Sequence, residues 1–154
     1  MERHPELCVK LFKEGYNCSQ AVLGAYCKEI GLEFETAVKL SSSFGGGMGR
    51  LREVCGAVTA MFMIAGLKSG YADPKDKSIK QKHYELIQQL SQRFKDKNGS
   101  IICRELLGLG IRHDSPVPDE RTTEYYKKRP CVELVKCAAE IIDEVLNKSE
   151  ASSY

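Results

Sequence analysis

The chain has no C-x-x-C pair. That removes the usual spacing of a zinc ribbon and of a thioredoxin-type exchange motif. A charge excess is also lacking: Lys plus Arg number 23 and Asp plus Glu 21, for a net +2. With no basic helix interleaved with aromatics, nothing speaks for nucleic acid as a partner. The longest apolar run, 55–67, is too short to span a bilayer, so no membrane insertion is expected and the run reads as a buried core helix. The opening residues 1–6 carry no apolar segment of the secretory kind. Residues 44–50 lack the G-x-x-x-x-G-K-[ST] pattern, which leaves nucleotide binding without support.

What the chain does have is cysteine: seven in 154 residues. The expected location is cytoplasmic, where thiols are kept reduced, so a structural disulfide framework is disfavoured and metal or redox chemistry is the usual reason for so many. At 42% hydrophobic and 29% charged, the composition suits one globular domain with a real core. A single domain is expected over 1–148, with a polar tail at 149–154.

The apolar spacing is helical almost throughout. Leu7, Cys8, Leu11 and Phe12 form one stripe, which Gly15 ends. Asn17 caps a second helix running to Gly31, and a short third covers 35–42. A glycine-rich run, Gly45-Gly46-Gly47-Met48-Gly49, precedes a fourth helix from about Arg52 to Leu67. That helix is apolar nearly all round and is expected at the centre. A long amphipathic helix follows Asp76, and a short one capped by Ser100 follows it. Residues 111–129 show no period and read as a long ordered loop or lid. Pro130 opens the last helix. The expectation is an all-α bundle of six or seven helices with no convincing strand pair.

Cys8, Cys27 and Cys137 lie on or at the edge of apolar stripes and read as packing residues. The other four, Cys18, Cys55, Cys103 and Cys131, each fall in the first turn of an expected helix. Unpaired N–H groups and the positive end of the helix dipole favour the thiolate there. Cations lie nearby: Arg50 and Arg52 before Cys55, Arg104 after Cys103, and Lys127, Lys128 and Arg129 before Cys131. The intervals between the four are 36, 47 and 27 residues, so only the tertiary fold can bring them together. His83 falls at a core edge, and His4 and His113 have loop surroundings without paired spacing.

These residues resemble a family named for its cysteine pattern, C_GCAxxG_C_C, whose members are described as redox-active. The stretches that carry the resemblance are Gly15-Tyr16-Asn17-Cys18-Ser19-Gln20-Ala21-Val22, Phe44-Gly45-Gly46-Gly47-Met48-Gly49 and Glu53-Val54-Cys55-Gly56-Ala57-Val58-Thr59-Ala60. Cys103-Arg104-Glu105-Leu106-Leu107-Gly108 and Cys131-Val132-Glu133-Leu134-Val135 complete it. One departure is Ala60, the last position of the central C-G-A-x-x-G stretch; both residues are small, so the sulfur site should be untouched. The resemblance implies a redox role for Cys18, Cys55, Cys103 and Cys131, often beside an oxidoreductase or transporter partner.

Four thiolates are the ligand count of an iron–sulfur cluster, and this is the first expectation, with electron transfer as the function. Gly46 and Gly47 would let bare backbone approach the cluster. The second expectation is thiol–disulfide redox without metal. The third is a structural zinc site held by the four cysteines, and the fourth a helical interaction module with incidental cysteines. A redox partner protein is expected, its identity open, as is the oligomeric state. No general base or substrate pocket can be named, so whether the chain is an enzyme is undecided.

Overall fold

The computed structural model describes residues 2–111 and 113–147. The expected polar tail at 149–154 lies outside them. The all-α expectation holds. Helix α1 (His4–Lys13) buries Pro5, Cys8, Leu11 and Phe12; of the stripe seen in the sequence, Leu7 is half-buried. Gly15, at φ +111°, turns the chain into α2 (Cys18–Ala25). Asn17 and Gln20 form a reciprocal cap there: the Asn17 side chain accepts from the Gln20 N–H, and the Gln20 side chain from the Asn17 N–H. Helix α2 stops at Ala25 rather than at Gly31, and turns carry the chain onward. The Gln20 amide also donates to the Val38 carbonyl at 3.0 Å, tying α2 to α3 (Phe34–Ser41).

A 3-10 turn (Ser42–Phe44) and a distorted turn (Gly45–Met48) lead to α4 (Gly56–Ser69). The sequence placed this helix start near Arg52. Arg52 instead has φ +60°, and Val54 pairs with Ile102 in an isolated antiparallel bridge, so the helix waits until Gly56. Helix α5 (Lys77–Asn98) is capped by Asp76 and closed by Gly99 at φ +90°. Helix α6 (Cys103–Leu106) is a single turn. Ser100 does not cap it directly; its hydroxyl accepts from the Ile102 N–H. The segment expected as loop contains a helix, α7 (Thr123–Lys128), capped by Thr122. Pro130 sits at the N-cap of α8 (Cys131–Ile142), one place earlier than expected.

Helices α2 and α4 share the centre. α2 packs on α1, α3, α4 and α8, while α4 packs on α2, α5 and α8. Seven of the eight α2 residues are buried, which the sequence did not single out. Phe12, Leu23, Met61, Ile64, Leu90, Phe94, Ile141 and Ile142 fill the space between them. Each such side chain contributes on the order of 2 kcal/mol by leaving water. Cys8 and Cys27 are buried in this core as expected, and Cys137 is half-buried against it. Ala60 is fully buried on α4.

His4 departs from the expectation. It opens α1, stacks on Tyr26 with ring centres 4.0 Å apart, and sits between Asp143 (3.0 Å) and Glu29 (2.9 Å). Tyr26 makes 2.7 Å and 3.0 Å contacts to Asp143 and the Ala139 carbonyl, so this cluster ties the start of the chain to the end of α8. No described helix is long and apolar enough to cross a membrane.

Candidate redox site

The four cysteines come together. Cys18, Cys55, Cys103 and Cys131 all line one cavity of about 310 Å³. Cys18, Cys103 and Cys131 are the first residues of α2, α6 and α8. Cys55 is the residue before α4 rather than within its first turn. The bridge between Val54 and Ile102 joins two of the four sites. Cys55 N–H donates to the Ile101 carbonyl at 2.8 Å, and Cys103 N–H donates back to the Glu53 carbonyl. These bonds set Cys55 and Cys103 in fixed register.

The sulfurs do not share one character, which corrects the expectation that each helix start makes a thiolate. Cys18 alone is lowered, from 9.0 to about 6. The chief cause is a hydrogen bond from the Cys55 thiol. Burial opposes it, and N–H groups of Gly46, Gly56 and Ser19 support it. Cys55 is pushed well up because it is the donor in that pair, is buried, and faces the Cys18 charge. Cys103 is raised because burial outweighs Arg52, whose Nη1 lies 3.6 Å from its sulfur. Cys131 is pushed up to about 12 by burial and by the Cys18 and Cys103 charges, against Arg129 and a hydrogen bond with Tyr125.

Two glycines, Gly47 of the glycine run and Gly56 at the start of α4, have a steric role in this arrangement. A Cβ on Gly56 would stand 2.6 Å from the Cys18 sulfur, and one on Gly47 would stand 2.6 Å from the Cys103 Cβ. Gly46 lines the cavity; Gly47 packs behind it. Gly46, Gly47, Met48, Gly49 and Arg50 all have positive φ in succession, a left-handed turn. For Met48 and Arg50 that conformation costs about 1 kcal/mol each. The turn delivers Arg50 and Arg52 to the same place.

Those arginines hold a lid made by residues 114–121. Arg50 donates to the Ser115 carbonyl (2.6 Å), Asp119 (2.9 Å) and Asp114 (3.0 Å). Arg52 donates to Asp114 at 2.9 Å, and Arg129 reaches Asp119 at 3.4 Å. Asp114 is held below the usual carboxylate range, first by Arg52. Arg121 donates to the Phe12 and Tyr16 carbonyls and covers the Phe12 ring at 4.1 Å. Pro116, Pro118 and Asp119 line that side of the cavity, so the segment expected as an ordered loop or lid is fastened over it at defined points.

The flanking cations serve other partners than adjacency suggested. Arg52 reaches Cys103, not Cys55, while Arg104 faces Glu53 and the Arg52 carbonyl. Lys128 pairs with Glu124 at the surface, and only Arg129 of its cluster lines the cavity. Asp114, Asp119 and Arg121 were not singled out as site residues; their loop has no period, and Arg50, Arg52, Phe12 and Tyr16, which hold them, are distant in sequence.

The C_GCAxxG_C_C family model, described as "Putative redox-active protein (C_GCAxxG_C_C)", matches residues 16–145. The chain belongs to this family. In the C_GCAxxG_C_C protein described here the matched span contains all four cavity cysteines. No curated protein and no solved structure matches the chain.

Proposed function

We propose that this C_GCAxxG_C_C protein is a thiol–disulfide redox protein whose working pair is Cys18 and Cys55. The observation that carries the reading is the closeness of the two residues: both line the one cavity, and a Cβ on Gly56, the neighbour of Cys55, would stand 2.6 Å from the Cys18 sulfur, whose thiolate form the Cys55 thiol supports. One member is poised as thiolate and the other keeps its proton, the division of labour a dithiol exchange needs. The Cys18 thiolate attacks one sulfur of a disulfide RSSR′, giving a Cys18–SR mixed disulfide and R′S⁻. The Cys55 proton passes to R′S⁻. The resulting Cys55 thiolate attacks the Cys18 sulfur, forming the Cys18–Cys55 disulfide and releasing RS⁻. Two electrons pass from the protein to the substrate.

The test is to oxidise the reduced chain mildly without metal and map the new disulfide. Reversible loss of two thiols, at Cys18 and Cys55, is expected. Loss distributed over other cysteines would refute the pair.

A second reading places an iron–sulfur cluster in the same cavity. It was the first expectation, and it is favoured by one observation: four thiols, the standard ligand count, line a single chamber. Cys18, Cys55, Cys103 and Cys131 would hold the cluster, and it would supply one-electron transfer. The Cys18–Cys55 contact puts the dithiol ahead of it. Iron and acid-labile sulfide after anaerobic reconstitution would support the cluster. A single zinc ion fits less well, because among the described residues no three ligating side chains are gathered closely enough to share one ion.

A further inference from the structure

We propose that the substrate of this site is a low-molecular-weight disulfide carrying carboxylates. The inference rests on the dithiol reading and adds the chemical class on which the pair acts. Four guanidinium groups line the cavity: Arg50, Arg52, Arg121 and Arg129. Among the described residues, Asp119 is the only carboxylate on its wall; Asp114 stands behind, paired with Arg50 and Arg52. Counting both carboxylates and the Cys18 thiolate still leaves an excess of positive charge around the sulfurs.

Two of the arginines make the excess specific. Arg121 is fixed by the carbonyls of Phe12 and Tyr16, neutral acceptors that orient its charge without cancelling it. Arg52 is only 4% exposed, and its Nε is buried with no acceptor. Its Nη atoms are engaged by the Cys103 sulfur and Asp114, which holds its charge beside the sulfurs. The volume of about 310 Å³ admits a small molecule. The step is the exchange given above, with both R groups bearing a carboxylate: the disulfide is reduced to two thiols and Cys18 with Cys55 is oxidised.

The experiment uses the full reduced chain and three small disulfides of similar reach: dithiodiglycolate (two carboxylates), hydroxyethyl disulfide (neutral) and cystamine (two ammonium groups). The rate of Cys18–Cys55 disulfide formation with each is divided by the rate of free cysteine with the same reagent. The normalised rate for dithiodiglycolate is expected to exceed that for hydroxyethyl disulfide about tenfold, with cystamine slowest. The gap should shrink as salt is added. It should also fall several-fold in Arg121→Gln and survive in Arg121→Lys. Equal normalised rates, or cystamine fastest, would overturn the substrate class while leaving the dithiol pair standing. Failure of all three reagents to form the Cys18–Cys55 disulfide would overturn the dithiol reading itself, and this inference with it.

Discussion

The sharpest consequence of the site is a pH dependence of stability carried by one sulfur. Cys18 titrates near 6 in the folded protein and near 9.0 when unfolded. Between these values the unfolded chain keeps a proton that the folded chain has released. Stability from this group is therefore fully present above pH 9 and is lost as pH falls toward 6. Each pH unit of that window is worth about 1.4 kcal/mol. Cys55, Cys103 and Cys131 act in the opposite sense, because their folded values are raised. Above pH 9 the unfolded chain loses those protons first, and stability falls again. Cys8, raised by burial, adds to that loss, and taken together the cysteines place the maximum at about pH 8–9, below the unfolded value. Urea unfolding under reductant, run from pH 6 to 9 on the wild type and on Cys18→Ala, isolates the contribution. The wild-type curve should climb more steeply, and Cys55→Ala should move the thiolate absorbance midpoint of Cys18 upward. Parallel stability curves with a Cys18 midpoint near 9 would refute the argument that Cys55 and the three N–H groups stabilise the thiolate.

Gly56→Ala should destabilise by about 1–3 kcal/mol and raise the Cys18 midpoint, since its methyl would stand 2.6 Å from the sulfur and 2.7 Å from the Phe44 carbonyl; chemical denaturation and thiol titration read both. Asn17→Ala removes the reciprocal cap of α2 and should cost about 1 kcal/mol by urea unfolding. Tyr26→Phe strips the hydroxyl from Asp143 and the Ala139 carbonyl and should cost about 1–3 kcal/mol by the same measure.

Local signals made the helices legible. The α1 stripe, the Asn17 cap, the Asp76 cap and the Gly99 stop are all contained within a few residues of sequence. The four site cysteines were legible as well, because three open helices and the fourth immediately precedes one. Their chemistry was not. Cys18 differs from Cys103 and Cys131 through its contact with Cys55 and the N–H of Gly46, which depend on how α2 meets the glycine turn. The start of α4 was misplaced because Arg52 adopts a left-handed conformation that no local pattern announces; bonds to Asp114 and Cys103 hold it there, and Val54 bridges to Ile102 before the helix begins. Helix α7 was missed because it is short and charged and packs on the core through only Tyr125 and Tyr126, neither fully buried.

The chamber also sets a condition on biosynthesis. Its walls are contributed from residue 12 through residue 134, so a growing chain displays bare thiols long before their final neighbours exist. A fragment ending before Cys131 lacks one of the four cysteines and the wall that α8 supplies, so the chamber is complete only once that last helix has docked.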